Sequence, residues 1–164
     1  MKEQKTGHGP EAGRSFGAAF LLAQIGSHAA AKFAQRLARL RLTPAHSGIL
    51  HILSATPGIT QQALASLLGM VPSRLVALVD ELESRGLMQR RRSEEDRRRH
   101  ALVLTEKGRK ALAAIGEISR EHQRLLLASL TEPEHEQLTH LLQRIADQQG
   151  LTRNVHPGYR TLRP

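Results

Sequence analysis

Seven arginines fall in the fifteen residues from Arg85 to Arg99. Six of them form the runs Arg90-Arg91-Arg92 and Arg97-Arg98-Arg99, which bracket the turn-like acidic segment Ser93-Glu94-Glu95-Asp96. This is the pattern of a basic hairpin with a pinned tip. Residues 85–99 carry seven basic against three acidic side chains, a net +4 of the chain's +9, whereas residues 16–84 carry five against three. Charge gathered in this way suits a polyanion better than it suits general solubility. Guanidinium in particular matches phosphate, because its fork donates two parallel hydrogen bonds. With three Phe, one Tyr and no Trp, the chain lacks the aromatic surface on which single-stranded bases stack, so duplex DNA is the better partner.

Other chemistries find less support. The chain has nine histidines, but His46 and His51 are five apart, as are His135 and His140, and neither pair has the i, i+4 spacing of helical metal ligands. No metal site is expected, although a histidine-based, metal-responsive repressor is an alternative. Cysteine is absent, which excludes disulfides, thiolate sites and sulfenic-acid sensing on this chain. There is no glycine-rich phosphate loop, no nucleophile elbow and no carboxylate pair near a histidine on an apolar background, so neither an enzyme nor a cofactor is expected. A nonspecific nucleoid or RNA-binding protein is the main rival, since charge alone would serve it. The opening Met1-Lys2-Glu3-Gln4-Lys5 lacks the apolar core of a signal peptide, and no apolar run approaches the ~20 residues of a membrane span, which points to the cytoplasm.

The elements that must carry the arginines are legible from periodicity and punctuation. Residues 1–14 read as a flexible arm. Leu22, Ile25, Ala29, Phe33, Leu37 and Leu40 then form one stripe of a long helix over about 16–41. Thr43-Pro44 starts a second helix, with Ile49, Ile52 and Leu53 inward, which Pro57-Gly58 ends. Thr60 caps a third, carrying Leu64, Leu67 and Leu68 and closed by Gly69. Pro72 opens a fourth, with Leu75, Leu78, Val79 and Leu82 buried and Gly86 as terminator. Residues 87–92 and 100–104 flank the acidic turn as strands. From Thr105 a helix resumes through Leu112, Ile115, Leu125 and Leu126, and a capping box from Thr131 to Glu134 starts the last one, which ends at Gly150. The fold expected is mainly α with a small β-hairpin wing, a winged helix-turn-helix.

Three stretches resemble the MarR family of bacterial transcription regulators over about residues 16–149. They are Leu64-Ala65-Ser66-Leu67-Leu68-Gly69 through Pro72-Ser73, then Leu78-Val79-Asp80-Glu81-Leu82-Glu83-Ser84-Arg85-Gly86-Leu87, and then Asp96-Arg97-Arg98 followed by Leu104-Thr105-Glu106-Lys107-Gly108. The resemblance implies a single domain over 15–149. Its dimerisation helices would span 15–42 and 106–149, its DNA-binding lobe 43–105, and 150–164 would be a tail. It also implies an obligate homodimer, a pseudo-palindromic duplex operator and, commonly, release of repression by a small ligand.

Residue roles follow. On the fourth helix Pro72, Ser73, Arg74, Val76 and Ala77 form a small, polar and basic first turn suited to a major groove, where Ser and Arg bond base edges or phosphate and Ala meets a thymine methyl. Arg74 and Ala77 depart from the family's frequent Thr or Ser and Arg, so its base contacts do not carry over. The resemblance makes Arg98 the wing-tip residue that enters the minor groove, oriented by Asp96. Arg90, Arg91, Arg92, Arg97 and Arg99 are expected to meet phosphate or to stay solvated. The apolar stripes of the first and last helices supply a dimer interface at Leu22, Ile25, Phe33, Leu138, Leu142 and Ile145. The resemblance also locates a ligand pocket among the first, second and fifth helices, with Arg36, His46 and His51 as its polar groups for a phenolic or carboxylate compound.

Overall fold

The computed structural model describes residues 17–92 and 100–156. In chain order it has α1 (Ala18–Leu37), a single 3₁₀ turn (Ala38–Leu40), α2 (Pro44–Ala55), α3 (Gln61–Leu68), α4 (Pro72–Ser84), β1 (Met88–Arg92), β2 (His100–Leu104), α5 (Glu106–Leu126) and α6 (Glu132–Gln148). It is mostly helical with one antiparallel hairpin, in the winged-helix order expected. The arm at 1–14 and the end of the tail lie outside the described residues. Within them, no single helix is long and apolar enough to cross a membrane.

Local chemistry sets most boundaries. The first helix does not run unbroken to residue 41. It tightens into the 3₁₀ turn after Leu37 because Arg41 takes a left-handed conformation, φ 54° and ψ 37°, and the Leu42 N–H returns to the Leu37 carbonyl at 3.2 Å. At the start of α2 the Thr43 hydroxyl accepts from the His46 N–H at 3.3 Å, and the Thr43 N–H donates to His46 Nδ1 at 3.2 Å. This is a reciprocal capping box with His where Glu or Gln usually stands. Thr60 caps α3 by accepting from the Ala63 N–H at 3.2 Å, and Gly69 closes it with φ 61°. Leu67, expected inward, is 39% exposed, and Ala65 takes its place. The buried face of α3 centres on Leu64, Ala65 and Leu68, and Leu67 lies off its edge.

The hairpin pairs Met88 with Leu104, Arg90 with Leu102 and Arg92 with His100. It gains a third backbone partner that the sequence did not announce. The α2–α3 connector bridges β2 at Thr60 and Ala101, with Leu102 N–H on the Ile59 carbonyl at 3.0 Å and Gly58 N–H on the Leu102 carbonyl at 3.1 Å. Between wing and helices lies the core, where Leu50, Leu64, Leu75, Val79, Leu82 and Leu102 are all 0% exposed. Val155 also packs on this core, although the segment after Gly150 reads as a loose tail. By contrast α6 buries no residue, and α1 buries only Leu37.

The wing is closed by a tight crossing. Gly86 ends α4 with φ 68°, the Thr105 N–H bonds the Leu87 carbonyl at 3.2 Å, and the Thr105 hydroxyl donates to the Gly86 carbonyl at 2.7 Å while accepting from the Gly108 N–H at 3.0 Å. A Cβ on Gly108 would stand 1.9 Å from the Leu87 carbonyl oxygen. Backbone cannot yield by that amount without parting α5 from the hairpin. Gly108→Ala is therefore expected to lower stability by about 1–3 kcal/mol, the usual cost of overpacking a filled site, read as an earlier urea midpoint with little change in slope.

Candidate nucleic-acid interface

The fourth helix divides as its pattern demands. Leu75, Val79 and Leu82 are buried, while Pro72, Ser73, Val76, Ala77 and Asp80 are exposed and Arg74 is half-buried. Val71 precedes the first turn with no side-chain cap. Pro72 has no N–H to offer, and the N–H groups of Arg74 and Leu75 donate to the Val71 carbonyl at 3.1 and 3.2 Å, so the first turn favours an anion through the helix dipole rather than through a row of open donors. One exposed face thus presents a hydroxyl and a methyl at the positive end of a helix dipole, features suited to base edges and phosphate in a major groove.

The arginine cluster does not act as one unit. Arg90 is bound on all sides: its Nη2 donates to Asp80 Oδ1 at 2.5 Å and to Gln61 Oε1 at 3.3 Å, its Nη1 pairs with Glu83, and its own N–H donates to Glu83 Oε1 at 2.9 Å. Burial works against its charge, but the two carboxylates outweigh that and raise its pKa above the ordinary arginine value. The expectation that Arg90 meets phosphate or stays solvated is corrected. It ties β1 to α4 and to the start of α3. Asp80 and Glu83, three apart on one helical face, were the readable signal for such a partner. Arg91, on the opposite face of the strand, is exposed. Arg92 ends β1. Asp96, Arg97, Arg98 and Arg99 lie outside the described residues.

The three expected pocket groups do not converge. His46 is 1% exposed and belongs to the capping box, so it is corrected from ligand contact to structural residue. Its Nε2 lies 3.3 Å from Glu81 of α4 but outside hydrogen-bonding geometry. Arg36 donates from Nη1 to His122 Nδ1 at 3.1 Å, and the His122 ring lies 5.5 Å from that of Phe33. Phe33 accordingly packs on its own chain's core. Burial first, then Arg36 and His28, lower the pKa of His122 from its ordinary value. Only His51 faces open space. It lines a groove of 830 Å³ between α2 and α5, with Ser47, Ser54, Leu112, Arg109 and Arg120.

Known proteins share this arrangement. The family model described as "MarR family" matches residues 42–100, which span the helix-turn-helix and much of the wing. A putative transcriptional regulatory protein for the hcr operon of Thauera aromatica is 35% identical over 111 residues, covering 68% of this chain and 67% of that protein. The transcriptional repressor CouR, solved bound to a 23-mer DNA duplex, is 35% identical with a TM-score of 0.69, over 79% of this chain and 92% of that one. The chain belongs to the MarR family. A probable transcriptional regulator from Pseudomonas aeruginosa agrees, at 33% identity and a TM-score of 0.66 over 79% of this chain and 96% of that one. As a MarR-family member the chain is a transcriptional regulator that binds DNA, and it is not an enzyme.

Burial lowers the pKa of His46 from its ordinary value of 6.5; the Glu81 carboxylate opposes this and Arg85 adds to it. The unfolded chain therefore takes up a proton below pH 6.5 that the folded protein refuses. Stability from this group is complete above that pH and is lost as pH falls toward the folded value. Protonating Nδ1 would also set donor against donor at the Thr43 N–H. His46→Gln keeps an acceptor at the capping position and removes the titration. Melting temperature measured across this window should fall less steeply with acid in the variant than in the parent, and equal slopes would show that His46 is not the group responsible.

Proposed function

We propose that the protein is a homodimeric, sequence-specific repressor of a pseudo-palindromic operator, released by a small phenolic or carboxylate ligand. The observation that carries the dimer is the apolar surface left open on α1 and α6. Leu22, Ile25, Leu142 and Ile145 are between 39% and 52% exposed, and Leu138 is half-buried. Apolar side chains aligned along two helices of one domain need a partner, and a second copy supplies the same stripes by symmetry. Phe33 enters that interface less directly, through the packing of α1 on α5. The dimer sets two copies of α4 about 10 bp apart on one side of the duplex.

Within each half-site, Ser73, Arg74, Val76 and Ala77 contact the major groove, and Arg98, oriented by Asp96, enters the minor groove. Arg91, Arg92, Arg97 and Arg99 bind phosphate. The ligand occupies the groove beside His51, where Arg109 and Arg120 supply positive charge, although each also pairs with a glutamate three residues before it. Wedging α5 away from α2 there would tilt the lobe and release DNA.

Selection of duplexes by the protein from a random pool should return two related half-sites about one turn apart. A stable folded monomer at micromolar concentration by sedimentation velocity would remove the dimer, and recovery of unrelated duplexes would favour nonspecific binding. Arg98→Ala should weaken the selected duplex by about 1–3 kcal/mol, with the larger loss on A·T-rich flanks. Asp96→Ala should weaken it in part, because the freed guanidinium wanders. Bare electrostatics requires the opposite sign, so tighter binding by the Asp96 variant would falsify the pinned arginine. Thermal-shift and mobility-shift screens of aromatic carboxylates test the ligand, and no response to any of them would leave a constitutive repressor.

A further inference from the structure

Arg85 belongs by sequence to the basic cluster, yet its side chain turns away from the wing. It stands at the carboxyl-terminal cap of α4, where its Nη1 donates to the Arg41 carbonyl at 2.5 Å and its Nη2 to the Leu40 carbonyl at 3.0 Å. These are the open carbonyls at the end of the 3₁₀ turn that follows α1, displayed there because Arg41 is left-handed. One fork fills both, as a planar guanidinium does and an ammonium does less well. Glu81, one turn back on α4, lies 3.8 Å from Arg85 and 3.3 Å from buried His46. On the other side Lys107 of α5 donates to the Arg85 carbonyl at 2.8 Å. The last turn of α4 is thus stitched to the end of α1 and to the start of α5.

We propose that Arg85 is a positioning residue for sequence readout: by clamping the end of α4 to the α1–α2 connector, it sets the angle at which the distant first turn enters the groove, without touching DNA. Leverage is what gives the clamp its effect. Twelve residues separate Arg85 from Ser73, and at 1.5 Å per residue they make a rod of about 18 Å. A tilt of only about 5° at the clamp moves the reading end by roughly 1.5 Å, more than the whole range of lengths a hydrogen bond tolerates. Base contacts fail under such a displacement, while phosphate contacts, made by long and mobile side chains, adjust. The consequence is a loss of discrimination rather than a loss of charge. This rests on the DNA-binding role of α4.

The test compares Arg85→Gln and Arg85→Lys with the parent on two DNAs, the best duplex recovered from the random pool and sonicated mixed-sequence DNA, each over a salt series. Active fraction is fixed beforehand by stoichiometric titration, so that unfolded protein does not enter the affinity. Arg85→Gln should weaken the selected duplex about tenfold, comparable to losing one base contact, and leave mixed-sequence affinity within about twofold and the salt slope unchanged. Arg85→Lys, which keeps the charge and loses the fork, should show most of the same loss, and it decides the matter where the Gln variant does not fold. An equal fall on both DNAs with a salt slope smaller by about 1 would identify a phosphate contact and overturn the proposal. Unchanged affinity for the selected duplex would overturn it as well. If the parent itself prefers no duplex, the operator reading fails first, an outcome distinct from either.

Discussion

The crossing of α5 over the start of the hairpin is the constraint on which the molecule turns. At Gly86, Leu87, Thr105 and Gly108 four elements meet within a few ångströms: the end of α4, the start of β1, the end of β2 and the start of α5. Two of their carbonyls are taken by Thr105, one through its N–H and one through its hydroxyl. The approach is so close that only hydrogen fits on the α-carbon of residue 108. Because the strands are antiparallel and short, fixing their base at this point also fixes where the wing leaves the lobe. The same contact anchors α5, the longest helix among the described residues, to the hairpin and to α4.

Around that crossing the arginines divide into those that build the site and those left to use it. Arg90 holds the wing strand against α4 and α3, Arg85 holds α4 against the α1–α2 connector, and Arg91 on the alternate face of β1 is exposed. The division has an electrostatic logic. A guanidinium already paired with two carboxylates offers phosphate little net attraction, and bringing Asp80 and Glu83 beside DNA without a cation between them would repel it. Arg90 therefore masks two acidic side chains on α4 as well as joining that helix to the wing. Net charge counted along the run overstates what faces the polyanion.

How much of this was readable depends on the range of the interaction. Caps and terminators act within four residues, so Thr43-Pro44, Thr60, Gly69, Gly86 and the Thr131–Glu134 box all read correctly from local sequence; in the last, the Thr131 N–H reaches Glu134 at 2.8 Å. The α4 stripe was equally legible, because a 3.6-residue period sorts buried from exposed without knowledge of the partner. Pairings between elements were not. Arg90 and Arg91 are indistinguishable by composition, and only the faces of a strand whose neighbour is known separate them. His46 looked like a free polar group because histidine is a rare third residue in a capping box. The break after Leu37 was hidden for another reason: Arg41 carries no sequence mark of the left-handed conformation that glycine would have announced.

The two halves of the chain differ in what holds them. The lobe is closed by its own core, whereas α1 and α6 bury almost nothing within the chain. In the proposed dimer the lobes are heads carried on these arms, and the distance between the two heads would be set by how the arms pack, not by the heads. The Arg85 clamp and the Gly108 crossing lie where arm meets head, one on the α1 side and one on the α5 side. The α2–α5 groove runs along the same boundary, and Arg109, the residue after Gly108, lines it. Under the proposed release, a molecule seated there would not need to approach α4 to act on it. It would have only to change the angle at a joint whose lever, the length of α4, converts a small rotation into a misplaced first turn.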